Sequence, residues 1–124
     1  MPCAFLAEAL ASAVRALLVP ADGPPEVVDV AVGGGARFMR SLRARIGAEA
    51  VERFRVTDRW EFWVDEEGLA AGKAANQAAT RVARDFGVQF DLRGNVVITG
   101  VDDDAAGWAD LSPAQVDVIL LRIA

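Results

Sequence analysis

Residues 26–46 read Glu26-Val27-Val28-Asp29-Val30-Ala31-Val32, then Gly33-Gly34-Gly35, then Ala36-Arg37-Phe38-Met39-Arg40-Ser41-Leu42-Arg43-Ala44-Arg45-Ile46. The first seven residues are dense in valine and run into glycine, which predicts a strand and a break. Beyond the break the period lengthens. Phe38, Met39, Leu42 and Ile46 recur on one helical face, with Arg37, Arg40, Arg43 and Arg45 around the rest. A strand followed at once by an amphipathic helix makes this a mixed α and β chain. The helix is expected to end near Gly47 and to carry a basic outer side.

Working outward, Val14-Arg15-Ala16-Leu17-Leu18-Val19 is a second aliphatic run, stopped by Pro20 and the turn cluster Asp22-Gly23-Pro24-Pro25, so it pairs with residues 26–32 as a hairpin. After the helix, Phe54 and Val56 with Thr57 favour a strand. Trp60-Glu61-Phe62-Trp63-Val64 is a clearer one, with Trp60, Phe62 and Val64 on one face and Arg59, Glu61 and Trp63 on the other. The acidic turn Asp65-Glu66-Glu67-Gly68 closes it. An alanine-rich helix follows from Asn76, its N-cap, to about Phe86, with Gly87 as the stop. Residues 94–101 form a strand. Ser112-Pro113-Ala114-Gln115 is a capping box that opens a helix through Ile123. The order β-β-α-β-β-α-β-α predicts an α+β fold: a single layer of mostly antiparallel or mixed sheet with about three packed helices.

The chain has 124 residues, enough for one core and too few for two. Residues 14–124 are expected to form one domain, with residues 1–13 as an N-terminal extension or short helix. There is no histidine, which removes the commonest general base and zinc ligand and every Ser-His or Cys-His pair. The lone Cys3 cannot make an internal disulfide. The opening residues lack a basic start and Glu8 interrupts their apolar run, so no secretion signal is read and a cytoplasmic location is expected. A formal charge of -5 argues against extended nucleic-acid binding. The cations are nevertheless twelve arginines and a single lysine, Lys73.

The order and spacing of several segments resemble an uncharacterised family, domain of unknown function 3846, found in actinobacteria, other bacteria and many phages and plasmids. They are Ala16-Leu17-Leu18-Val19-Pro20, Val64-Asp65-Glu66-Glu67-Gly68-Leu69, Asn76-Gln77-Ala78-Ala79-Thr80, Gly94-Asn95-Val96-Val97-Ile98-Thr99-Gly100 and Leu111-Ser112-Pro113-Ala114-Gln115-Val116. The resemblance implies a mobile-element setting and brings no reaction with it.

Five residues are candidates for binding a ligand or partner. Arg37 and Arg40 lie on the basic helix, after a glycine run where phosphate could meet backbone N–H groups, although the dinucleotide and P-loop signatures are incomplete. Arg59 and Trp63 share a strand face, where an indole beside a guanidinium would make a stacking platform if that face is open; if helices cover both faces, Trp63 is core. Asn76, with Thr80, could bind a base or amide, or could simply cap its helix. Asp102-Asp103-Asp104 fails the calcium-loop spacing, and no metal or cofactor pattern is read. The expected function is a non-catalytic binding protein of a phage or mobile element, countering host defence by blocking a host protein or sequestering a nucleotide-like small molecule, with no membrane partner and homo-oligomerisation left open. The alternative is a small enzyme acting on a nucleotide-like substrate, with Asp65 or Glu67 as base.

Overall fold

A computed structural model describes residues 13–31, 35–68, 71–101 and 109–123. Among them are β1 (Ala13–Val19), β2 (Glu26–Ala31), α1 (Gly35–Ile46), β3 (Val51–Arg55), β4 (Trp60–Asp65), α2 (Gln77–Arg84), β5 (Val96–Gly100) and α3 (Pro113–Ile123). The strands make one sheet in the order β2-β1-β5-β4-β3, antiparallel at every junction. The α+β expectation holds, with a wholly antiparallel sheet. Two hairpins, β1–β2 and β3–β4, stand side by side, and β5 slots between them.

That order decides what α1 must do. β2 and β3 follow one another in the chain yet form opposite edges of the sheet, four strand spacings apart, or about 19 Å. The connection between them is α1, whose 12 residues reach about 18 Å. The helix therefore crosses the sheet face, and its apolar stripe finds a floor beneath it. Phe38, Leu42 and Ile46 pack on Ala16, Val28, Val30, Trp63 and Val97, all buried. On the opposite face Leu17, Val19, Phe62, Val96 and Ile98 meet Ala79, Val82 and Ala83 of α2 and Val116 and Ile119 of α3. β5 is buried along its whole length because helices lie over it on both sides.

One expectation is corrected here. The period-two reading set Trp63 on the face away from Trp60, Phe62 and Val64, and that alternation is right. The face is not open, because α1 lies across it. Trp63 is 3% exposed, its ring meets Phe38 edge-on at 5.2 Å, and its Nε1 donates to Thr99 Oγ1 at 2.9 Å. An indole held in this way is core and offers no stacking surface to a partner.

The local readings at helix starts agree with the structure. Ser112 Oγ accepts from Gln115 N at 3.1 Å while Gln115 Oε1 accepts from Ser112 N at 2.8 Å, the reciprocal pair of a capping box. The second helix ends two residues earlier than Phe86, and Gly87 then turns the chain at φ +95°. Gly33, Gly34, Asp102-Asp103-Asp104, Trp108 and residues 1–12 lie outside the described residues.

Gly100 closes β5 where the chain approaches α3. Its N–H donates to Ala109 O and its carbonyl accepts from Ala109 N, and a Cβ at this position would stand 2.5 Å from the Asp110 carbonyl oxygen. Gly100→Ala should lower stability by about 1–3 kcal/mol through this backbone collision. A urea midpoint equal to wild type would show that the approach is looser than described.

Candidate functional site

α1 and the β3–β4 hairpin together carry seven of the twelve arginines: Arg37, Arg40, Arg43 and Arg45 on the helix, and Arg53, Arg55 and Arg59 on the hairpin. Arg37 and Arg40 are exposed on the side of α1 away from the sheet, where neither competes with the apolar stripe. Arg45 is tied back to β2, donating to Asp29 O at 3.4 Å. Arg59 is exposed in the β3–β4 turn, where Thr57 Oγ1 accepts from the N–H groups of both Arg59 and Trp60 and fixes the bend.

Sequence reasoning missed Arg53 and Arg55 on β3. Their register places them opposite Trp63 and Glu61 on the α1 side of the sheet. Each guanidinium lies 3.9 Å from a Glu61 carboxylate oxygen, and the Glu61 side chain is only 5% exposed. Arg53 also sits over the Trp63 ring, 5.6 Å from its centroid. The indole-with-guanidinium pair foreseen for Arg59 and Trp63 thus exists, but it is made internally by Arg53. The alternation Glu52-Arg53-Phe54-Arg55 was visible in the sequence; the hairpin register that gives those arginines their partners was not.

The five residues anticipated from sequence do not converge. Arg37 and Arg40 are exposed on α1, Arg59 is exposed in the β3–β4 turn, Trp63 is interior, and Asn76 is fully buried at the start of α2. The Asn76 carboxamide is used up. Its Nδ2 donates to Val19 O and Gly94 O, both at 2.8 Å, and its Oδ1 accepts from Ala79 N at 3.0 Å. Thr80 Oγ1 accepts from Leu92 N at 2.9 Å. With each polar atom engaged by backbone, Asn76 fits the capping reading and has no donor left for a base.

Two cavities lie on the α2 and α3 side and at the β3 edge, away from α1. One, about 520 Å³, is bordered by Arg81, Arg84, Asp85 and Asp91; Arg84 pairs with Asp91 at 2.6 Å and Asp85 with Arg122 at 3.1 Å, while Arg81 donates to Ile123 O at 2.7 Å. The other, about 450 Å³, is an aromatic cleft with Phe54 and Phe90 between Glu52 and Glu66. Among the described residues no group of three or more His, Cys, Asp or Glu is placed to hold a metal, and no helix is long and apolar enough to cross a membrane.

A family described as Domain of unknown function (DUF3846) matches residues 14–124. The chain belongs to the DUF3846 family. No curated protein and no solved structure matches it. Three of the five segments that carry the DUF3846 resemblance meet at one end of the sheet: Val19 closes β1, Asn76 opens α2 and Gly94 leads into β5. Asn95 extends this joint, accepting from Ala21 N at 3.1 Å and donating to Arg45 O at 3.5 Å.

Asp65, one of the two bases named for the enzyme alternative beside Glu67, is also engaged. Burial would raise its pKa, but the Lys73 ammonium at 2.6 Å and the Glu67 N–H outweigh burial and hold the carboxyl below the ordinary 3.8. Lys73 also donates to Gly47 O at 2.7 Å, so the pair clasps the end of α1 to the β4 turn. A carboxylate so stabilised is a weak proton acceptor.

Asn76→Ala should cost about 3 kcal/mol or more, since it strands two buried carbonyls and one buried N–H. Asn76→Asp should also be costly, because a carboxylate replaces the acceptor but not the donors; a wild-type melting temperature in either variant would contradict the brace. Asp65→Asn should lower stability at pH 7 by about 1.5 kcal/mol. The wild-type carboxyl titrates below its unfolded value, so its contribution is complete above pH 3.8 and fades as pH falls through the lowered value. Chemical denaturation of both proteins at pH 7 and pH 3 should show the gap closing; a gap unchanged at pH 3 would assign it to something other than the ion pair.

Proposed function

We propose that this DUF3846 chain is a non-catalytic binding protein whose α1 side engages an anionic partner, and that it serves a phage or plasmid against host defence in the host cytoplasm. The observation that carries the reading is a segregation of charge. The chain has a formal charge of -5, yet α1 holds four arginines and no acidic residue. Of the carboxylates on the sheet face beneath, Glu61 and Asp65 are 5% and 7% exposed and each faces a cation, which leaves Glu26, at the start of the edge strand β2, as the exposed one.

Arg37 and Arg40 thus project a local positive field from an acidic protein. Guanidinium groups suit carboxylate and phosphate through paired hydrogen bonds, which fits either the acidic face of a host protein or a nucleotide-like molecule. The protein partner is the better fit. Small ligands are normally enclosed, and neither cavity described above is bordered by a residue of α1. The mobile-element setting rests on the family resemblance, and the counter-defence role is the reading that joins that setting to a binding surface without a catalytic constellation.

Despite its acidic pI of about 4.6, the protein should be retained on immobilised heparin at low ionic strength. The double variant Arg37→Glu/Arg40→Glu should pass through unretained with its melting temperature within a degree or two of wild type, as expected for exposed positions. Equal retention of the two proteins would remove α1 as the anion-binding surface. Native mass spectrometry of protein purified from the host would then separate the two partners: a co-purifying acidic protein supports blocking, and a retained phosphate-bearing small molecule supports sequestration.

A further inference from the structure

We propose that the outer edge of β3, together with the aromatic cleft beside it, takes up an extended segment of a partner protein as an added antiparallel strand. This surface is separate from the arginines of α1. β3 is the last strand of the sheet, and among the described residues no strand pairs with its outer side. The hydrogen bonds Val56 N to Trp60 O and Glu66 N to Ala50 O fix the alternation along β3. They turn residues 50, 52, 54 and 56 toward β4, so the backbone groups of Val51 and Arg53 point outward. An unpaired edge of this kind is a template for another strand.

The side chains around the edge specify what that strand should carry. On the α2 and α3 side, Phe54 is half-buried and packs edge-on at 5.6 Å against Phe90, which is 57% exposed. This pair floors the cleft of about 450 Å³. Glu52 and Glu66 stand at its rim, both exposed and, among the described residues, without an ion pair. An aliphatic side chain opposite Phe54 and a cation opposite Glu52 therefore fit this face. On the α1 side, the Arg53 side chain is half exposed and its guanidinium stands 3.9 Å from the Glu61 carboxylate, too far for a close paired hydrogen bond, so an acid on the added strand opposite Arg53 fits this face. The occupant is an extended segment with acidic residues on one face and an apolar residue followed by a basic one on the other.

A second copy of this chain fits poorly. Two β3 edges paired about a two-fold axis must set residues of the same face against one another. The central registers then oppose Glu52 with Glu52, Arg53 with Arg53, or Arg53 with Arg55. Each places like charges directly across the strands, which is destabilising. The edge is therefore charged against itself and complementary to a different sequence.

A labelled peptide Thr-Glu-Leu-Glu-Lys-Val-Thr sets Leu opposite Phe54, Glu opposite Arg53 and Lys opposite Glu52 in antiparallel register. It should bind the full chain at least about ten-fold tighter than its charge-swapped counterpart Thr-Lys-Leu-Lys-Glu-Val-Thr. Binding should slow hydrogen exchange at the Val51 and Arg53 amides. Phe90→Ser should weaken it, and Arg53→Glu with Glu52→Lys should reverse the preference between peptides; Val27→Ser, on the opposite edge strand, should do neither. No binding by either peptide at millimolar concentration, equal binding of both, or sensitivity to Val27→Ser instead of Phe90→Ser would overturn the proposal. So would protection of the Val51 and Arg53 amides on raising protein concentration alone, which would make a second copy the occupant.

Discussion

The carboxamide of Asn76 is the point from which the rest of the molecule is arranged. β5 is the central strand of the sheet but the last to be made, and it has to slot between two hairpins already defined by their own turns. Asn76 joins the end of β1 to the approach of β5 through Val19 O and Gly94 O, and starts α2 through Ala79 N. Its own N–H donates to Leu92 O, and Thr80 one turn later accepts from Leu92 N. In a buried setting, a network whose members are all satisfied holds one arrangement, and a member lost leaves the others at a desolvation cost. The brace therefore sets where α2 begins and which residues of β5 face each layer.

With β5 in the middle, closure of both sheet faces follows. Pairing of β1 and β4 to opposite sides of β5 sends β2 and β3 to opposite edges, and the chain between them has to travel the width of the sheet. α1 makes that journey and seals one face, while α2 and α3 seal the other. Trp63 becomes structural as a result: its ring is pinned by Phe38, its Nε1 by Thr99, and its outer flank by the Arg53 guanidinium. The Lys73 clasp then binds the far end of α1 to the β4 turn through Gly47 O and Asp65.

The features legible in the sequence are those encoded by neighbours along the chain. The α1 stripe, the Ser112–Gln115 capping box and the Asn76 cap are each written within one or two helical turns, and each is found where the local pattern sets it. Alternation likewise assigned Trp63 to its face. What alternation does not contain is whether anything lies on that face, because that depends on strand order, and strand order depends on contacts such as Asn76 to Val19, 57 positions apart. The same limit hid Arg53 and Arg55, whose roles come from the residues across the hairpin. Asn76 was visible as a cap through its Oδ1, while the two carbonyls that occupy its Nδ2 come from distant strands.

The remaining outer surface constrains where a function can reside. Both sheet faces are filled, Asn76 and Trp63 are occupied, and the charged side chains bordering the cavity near α2 are already engaged, Arg84 and Asp85 in ion pairs and Arg81 on the Ile123 carbonyl. That leaves the outward side of α1, where Arg37 and Arg40 stand clear of the apolar stripe, and the two edge strands. The overall acidity hides this, because many exposed acidic residues lie in β2, the turns and the α2–α3 side, while half of the arginines lie on α1 and β3. Net charge is a sum over the surface, and recognition reads local fields. A chain can therefore be acidic as a whole and still present a positive face to an anionic partner, provided its fold sorts the charges as this topology does.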